Sequence, residues 1–211
     1  MTPVTTLAGE SLVQSVDWLT IAPPTLTAVV ALVVLVADLF VPQERKQLLG
    51  WTAIGGLVAA LALLVPLRAG DRSTFCLTAE AQAQGHAAAC SYTADHFTLV
   101  IQLLVLGGAL LTALLSLSET REKLPAGEFW FLLLSSAAGA ALLPASRDLA
   151  TLVVALEVAS LPAFALVGLK RGDRMSGEAA LKFFLSSVTA TAVTLLGVSF
   201  VYAATGSGAP T

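Results

Sequence analysis

Apolar residues fall into six long runs separated by short polar or charged stretches, and each run is about long enough to cross a bilayer as a helix. The pattern predicts helices over about 25–41, 48–67, 97–117, 129–145, 149–169 and 179–204. Charges, Gly or Pro bound every run, as Pro23-Pro24 and Pro42 bound the first. No long polar linker divides the chain, so residues 1–211 read as a single membrane domain. The expected fold class is all-α: a polytopic membrane protein, with six transmembrane helices here.

The fifth run carries the most information. From Leu149 to Leu169 its one charged residue is Glu157. At ~1.5 Å per residue the run is about 31 Å long as a helix, near the hydrocarbon thickness, and Glu157 lies close to its centre. A carboxylate at that depth costs on the order of 2.5–3.5 kcal/mol on insertion scales. It needs a partner, a proton or a water-filled cavity. Pro162 follows on the same helix, removing one backbone donor and leaving a carbonyl free. A buried acid beside a helix defect is a candidate functional site. The plainer reading is an acid held neutral in a polar contact between helices.

Composition agrees with the pattern. Hydrophobic residues make up 56% of the 211 and charged residues 12%, about half the charge of a soluble domain. Mean hydropathy is +0.85. A net charge of −3 gives no support for nucleic-acid binding. There is no phosphate-binding glycine loop, no dinucleotide fingerprint, no HExxH and no Cys or His cluster, so no cofactor site is expected in this chain. His86 and His96 are isolated, and His96 reads as an interfacial residue rather than a metal ligand. Residues 1–21 lack a basic region and cleavage motif ahead of a short apolar core, so a cleaved signal peptide is not expected. Leu12, Val16 and Leu19 share a face, which suits a short interfacial helix or equally a loose terminus.

The loops give an orientation. Arg45, Lys46, Arg121, Lys123, Lys170, Arg171 and Arg174 fall on one side; Arg68, Arg72 and Arg147 fall on the other. The basic excess puts the first set in the cytoplasm and both chain ends outside. The long outer loop, Arg68 to Asp95, holds both cysteines, Cys76 and Cys90. An oxidising compartment there favours a structural disulfide over two free thiols.

Other features read mainly as packing. Ser135, Ser136, Ala137, Gly139 and Ala140 in the fourth run, and Gly107-Gly108 in the third, would allow close helix approach. Asp38 could serve a functional role, but it lies within a turn of the cytoplasmic interface, where an acid can reach water, and the plainer reading is preferred. In the sixth run Glu178 precedes Lys182 by four residues, the favourable order for a helical pair. Lys182 lies about one turn inside the membrane. It either snorkels to the headgroups or is kept in a cavity where it can exchange a proton. Glu157 and Lys182 differ in depth by ~13 Å at 1.5 Å per residue, so a direct ion pair is not expected. Ser186, Ser187, Thr189, Thr191 and Thr194 could supply part of a wetted face.

The fifth and sixth runs, with their L-E-x-x-S-L-P element, E-A-A-L-K-F-F block and closing A-T-G, resemble the antiporter-like membrane subunits of the proton-pumping NADH:quinone oxidoreductase, respiratory complex I. The resemblance is strongest to the N-type subunit and covers roughly residues 149–206. It implies the N-terminal part of an inverted-repeat fold and a non-redox subunit of the translocase. Glu157 and Lys182 match the family's proton-translocating residues. Flavin, iron–sulfur clusters and quinone would sit in partner subunits, and this chain's partners would be other membrane-arm subunits and the bilayer. The location implied is the bacterial plasma membrane. A multi-subunit cation/proton antiporter and a purely structural membrane subunit are the competing readings.

Overall fold

The computed structural model describes residues 16–76, 90–118, 124–170 and 172–205. Arg121, Lys123, Arg171, His86 and most of the N-terminal segment lie outside them.

The helices are α1 (Ala22–Phe40), α2 (Gln47–Ala62) continued by the short α3 (Leu64–Leu67), α4 (His96–Ser116), α5 (Ala126–Leu142), α6 (Leu149–Val167) and α7 (Arg174–Thr205). Among the described residues six helices are long and apolar enough to cross a membrane. Several begin earlier than hydrophobicity alone predicts. Pro23 and Pro24 sit inside the first turn of α1, where a missing N–H costs nothing and the fixed φ suits the helix. Arg174 opens α7 well before its apolar stretch. Proline also explains two interruptions. Pro66 separates α3 from α2, and Pro144 tightens the end of α5 into a 3-10 turn, Leu143–Ala145.

α5 is the central element and packs against α1, α6, α4 and α2. Trp130 is buried at the heart of the shared core with Leu49, Leu57, Leu106 and Leu134. Gly50 makes room for it: a Cβ there would stand 2.9 Å from the Trp130 ring. Gly107 and Gly108 depart from expectation. Nothing lies within 4 Å of a Cβ at either, so α4 makes no close approach through them. They face away from the positions, such as Leu99 and Leu106, that meet the bundle.

The segment expected as a loop holds a two-stranded antiparallel hairpin, β1 (Arg72–Cys76) with β2 (Cys90–Ala94). Its Ser, Thr, Phe and Tyr content favours strand over helix. Cys76 stands opposite Cys90, and the two form a disulfide. β2 is tied into the helical body: the Arg147 N–H donates to the Ser91 carbonyl at 2.9 Å, and Tyr92 bridges Ser146.

Charges sort to the two ends of the bundle. At the hairpin end Arg72 pairs with Asp17 at 3.1 Å and Arg147 pairs with Asp95. His96 lies exposed, 3.5 Å from Asp71. At the opposite end Lys46 approaches Asp38 at 3.0 Å, and Lys170 pairs with Asp173 at 2.8 Å. Asp95 and Asp148 cap α4 and α6, accepting from the Thr98 and Thr151 N–H groups at 2.8 and 2.7 Å. In both, burial pushes the carboxyl up, but the cap hydrogen bonds outweigh it and the net shift is below the ordinary 3.8. Arg147 adds to the lowering at Asp95. A carboxyl lowered on folding stabilises the fold above its unfolded value and loses that contribution as pH falls through the folded one. The thermal midpoint in nanodiscs should therefore drop as pH is taken from about 4 to about 2, and Asp95→Asn should flatten that drop. Removing the disulfide with Cys76→Ser should cost roughly 3 kcal/mol, read as a lower midpoint under oxidising conditions only.

Candidate functional site

Glu157 is the ninth residue of the nineteen in α6, so the structure places it at mid-helix. Two faces of α6 must be distinguished. Ala155, Ala159 and Pro162 fall on one side at about 100° per residue. Val153, Glu157 and Phe164 fall on the other.

The first face packs on α5. A Cβ at Gly139 would come within 2.4 Å of the Ala159 nitrogen, so only glycine permits this approach. Ser136 donates its hydroxyl to the Ala159 carbonyl at 2.7 Å. Pro162 has no N–H, which leaves the Val158 carbonyl without its helical donor. α6 nevertheless runs through Pro162 as one helix. The Ser136 bond and the Gly139 contact clamp the stretch where its own ladder is weakened. Small residues in the fourth run thus do provide close packing, at Gly139 in particular.

On the second face Glu157 shares the side that Phe164 presents to α7. Phe164, one face-repeat away, is buried between Phe183 and Phe184 with ring centroids 4.7 and 6.0 Å apart. Glu157 Oε1 is buried and has no hydrogen-bond partner. A buried oxygen in that state calls for a hydrogen-bond partner, from water or an incoming donor.

Lys182 lies elsewhere. Its ammonium pairs with Glu178 at 2.6 Å, and its side chain is 74% exposed. At about 100° per residue it projects from the opposite side of α7 to Ala180, Ser187 and Thr191. No ion pair joins it to Glu157. Ser186 and Thr189 share the Lys182 side, whereas Ser187 and Thr191 are partly covered on the α6 side.

Asp38 is not simply open to water. Its side chain is 22% exposed and sits against Gly127, where an added Cβ would fall 2.2 Å from its Cγ. Lys46 supplies charge to Oδ1 without hydrogen-bond geometry. Nearby, a cleft of about 450 Å³ between α1, α5 and α6 is lined by Leu35, Phe131, Leu132 and Leu169 among others, and Glu157 is not part of it.

Gln102 is a polar residue of the bundle interior that hydrophobic patterning does not single out. It is fully buried in α4, donates to Tyr92 Oη at 3.0 Å and to the Ala141 carbonyl at 2.9 Å, and leaves its own Oε1 unpartnered. Burial pushes the Tyr92 hydroxyl up to about 12, so it stays protonated. The available signal was a lone amide within an apolar run, which carries no charge to attract notice.

The family described as NADH:quinone oxidoreductase/Mrp antiporter, TM, matches residues 146–209, the stretch that holds α6 and α7. NADH-quinone oxidoreductase subunit N 2 of Streptomyces griseus is 78% identical over 199 residues, covering 94% of this chain and 36% of that protein. The chain is similar to that subunit over the share that matches. Subunit N of Salinispora tropica is 41% identical over 201 residues, covering 93% of this chain and 36% of its own length. The chain spans about a third of the length of these curated relatives. Respiratory complex I from Thermus thermophilus with bound aureothin contains a chain with the same fold, at TM-score 0.68 and 30% identity, over 89% of this chain and 38% of that one. An archaeal membrane-bound sulfane sulfur reductase superposes at TM-score 0.70 with 18% identity over the same shares, a likeness of fold alone.

The clamp on α6 is testable in this chain. Ser136→Ala should lower stability by about 1 kcal/mol, and Gly139→Val by clearly more, because its Cβ meets backbone that cannot swing aside. Thermal midpoints in a fixed detergent or nanodisc would check the ranking.

Proposed function

We propose that this chain forms part of a proton-translocating membrane-arm subunit of an NADH:quinone oxidoreductase, and that Glu157 is its proton carrier. One observation carries the reading. A carboxyl sits at the middle of a membrane-length helix with a buried oxygen that nothing satisfies, on a helix weakened by Pro162. The 78% identity to a subunit named for that complex supports it.

The mechanism is electrostatic. Removal from water favours the neutral acid, and a cation or donor brought near favours the carboxylate. Glu157 takes a proton when its surroundings are apolar and gives it up when positive charge approaches. Quinone reduction elsewhere in the complex would supply that change in charge. Lys182 acts from the outer side of α7 rather than by pairing with Glu157. Partner subunits hold the flavin, iron–sulfur clusters and quinone.

The chain lies in a bacterial plasma membrane as one membrane domain. The end carrying Lys46 and Lys170 faces the cytoplasm, and the disulfide-bonded hairpin and the N-terminus face outward. The oxidising side suits the disulfide.

A cation/proton antiporter subunit is the second reading, favoured by the family description, which covers both classes. Glu157→Gln in the assembled complex should lower redox-driven proton translocation by about tenfold while the complex still assembles. Normal translocation in that variant would overturn the carrier role. Cation-driven proton exchange by the purified subunit without NADH or quinone would favour the antiporter.

A further inference from the structure

Glu157 shares the side that Phe164 presents to α7, but Lys182 does not face Glu157. Which group on α7 does? The antiparallel contact between α6 and α7 is fixed at one end by three observations. A Cβ at Gly168 would stand 3.0 Å from the Ala180 Cβ. Phe164 lies between Phe183 and Phe184. The Ser176 hydroxyl donates to the Val167 carbonyl at 2.6 Å. Each turn back along α6 is a turn forward along α7. Continuing the register brings Ser187 opposite Leu161 and Thr191 opposite Glu157. Burial agrees, since Ser187 and Thr191 are partly covered while the residues between and beside them are exposed.

The hydroxyls of α7 differ in what they bond. Ser186, Thr189, Thr194 and Ser199 all donate back to carbonyls of their own helix, at 2.8–3.0 Å for the first three and 2.9 Å for Ser199. Among the described residues Ser187 and Thr191 make no such bond, and the register sets Ser187 level with Leu161 and Thr191 level with Glu157. The Thr191 hydroxyl is thus the uncommitted one at the level where Glu157 Oε1 lacks a partner.

We propose that Thr191 is a positioning residue for Glu157, its hydroxyl serving as hydrogen-bond partner of the carboxyl directly or across one water. This rests on the proton-carrier reading of Glu157. A hydroxyl suits the task in both states of the acid. It donates to the carboxylate and accepts from the protonated carboxyl, so the group can change charge without losing its partner. Neither an ammonium nor an apolar side chain can do both. Helix axes 8–10 Å apart leave room for a short side chain and one bridging water between a glutamate and a threonine.

The test uses the intact complex in membrane vesicles, with NADH-driven proton translocation and NADH oxidation measured together. Thr191→Val should reduce translocation by about three- to tenfold, with assembly and NADH oxidation capacity kept. Thr191→Ser should restore it. In the Glu157→Gln background Thr191→Val should add no further loss, because the pair acts as a unit. Should Thr191→Val fail to assemble, Thr191→Ala reads the same loss of the hydroxyl. Wild-type translocation in Thr191→Val or Thr191→Ala, failure of Thr191→Ser to restore it, or an additive loss in the double variant would each overturn the proposal. With Glu157→Gln still defective, those results leave the carrier reading standing. An active Glu157→Gln variant would remove both.

Discussion

A carboxyl in hydrocarbon cannot be left to lipid. That constraint organises the surroundings of Glu157. Lipid offers no donor, so the side chain must turn toward protein, and α6 must be held at a fixed rotation for it to do so. The rotation is set from behind. Gly139 admits the α6 backbone to van der Waals contact, and Ser136 bonds the Ala159 carbonyl, on the face opposite the acid. In front, Phe164 is gripped by Phe183 and Phe184, which fixes the approach of α7. Between these two grips the acid faces a helix interface with one oxygen unsatisfied. The weakened ladder at Pro162 is tolerable because the clamp lies beside it.

The ends of the bundle serve the same purpose at longer range. At one end the hairpin, its disulfide and the Asp17–Arg72 and Asp95–Arg147 pairs join the loops to the helix starts. At the other, Asp38 is wedged against Gly127 beside Lys46. These contacts lie where water is available and cost little to maintain, whereas the membrane interior is held mainly by close packing and a few side-chain bonds to backbone. Among the described residues, none in the apolar window of the α7 span is buried.

Much of this was legible in the chain. Six apolar runs specify six helices, because twenty residues without charge have one stable conformation in lipid. Glu157 stood out because a charge there is expensive. Helix boundaries were less legible. Arg174 and Ala126 begin helices in polar surroundings, where hydropathy is silent. The hairpin was hidden because a short strand pair in a loop is set by pairing partners distant in sequence. Gly107-Gly108 and Gly139 look alike in sequence, yet only Gly139 meets a neighbour, since a small residue permits contact without compelling it. The separation of Lys182 from Glu157 in depth followed from counting residues. The direction in which Lys182 projects did not, because that depends on which face of α7 is taken by Phe183 and Phe184.

The proposed carrier role of Glu157 requires its carboxyl to change protonation as the proposed complex works. Redox-induced infrared difference spectroscopy on the intact complex reads this directly. A protonated-carboxyl band that appears or vanishes between oxidised and reduced states, and is absent in Glu157→Gln, is the expected result. An identical difference spectrum in wild type and Glu157→Gln would contradict it.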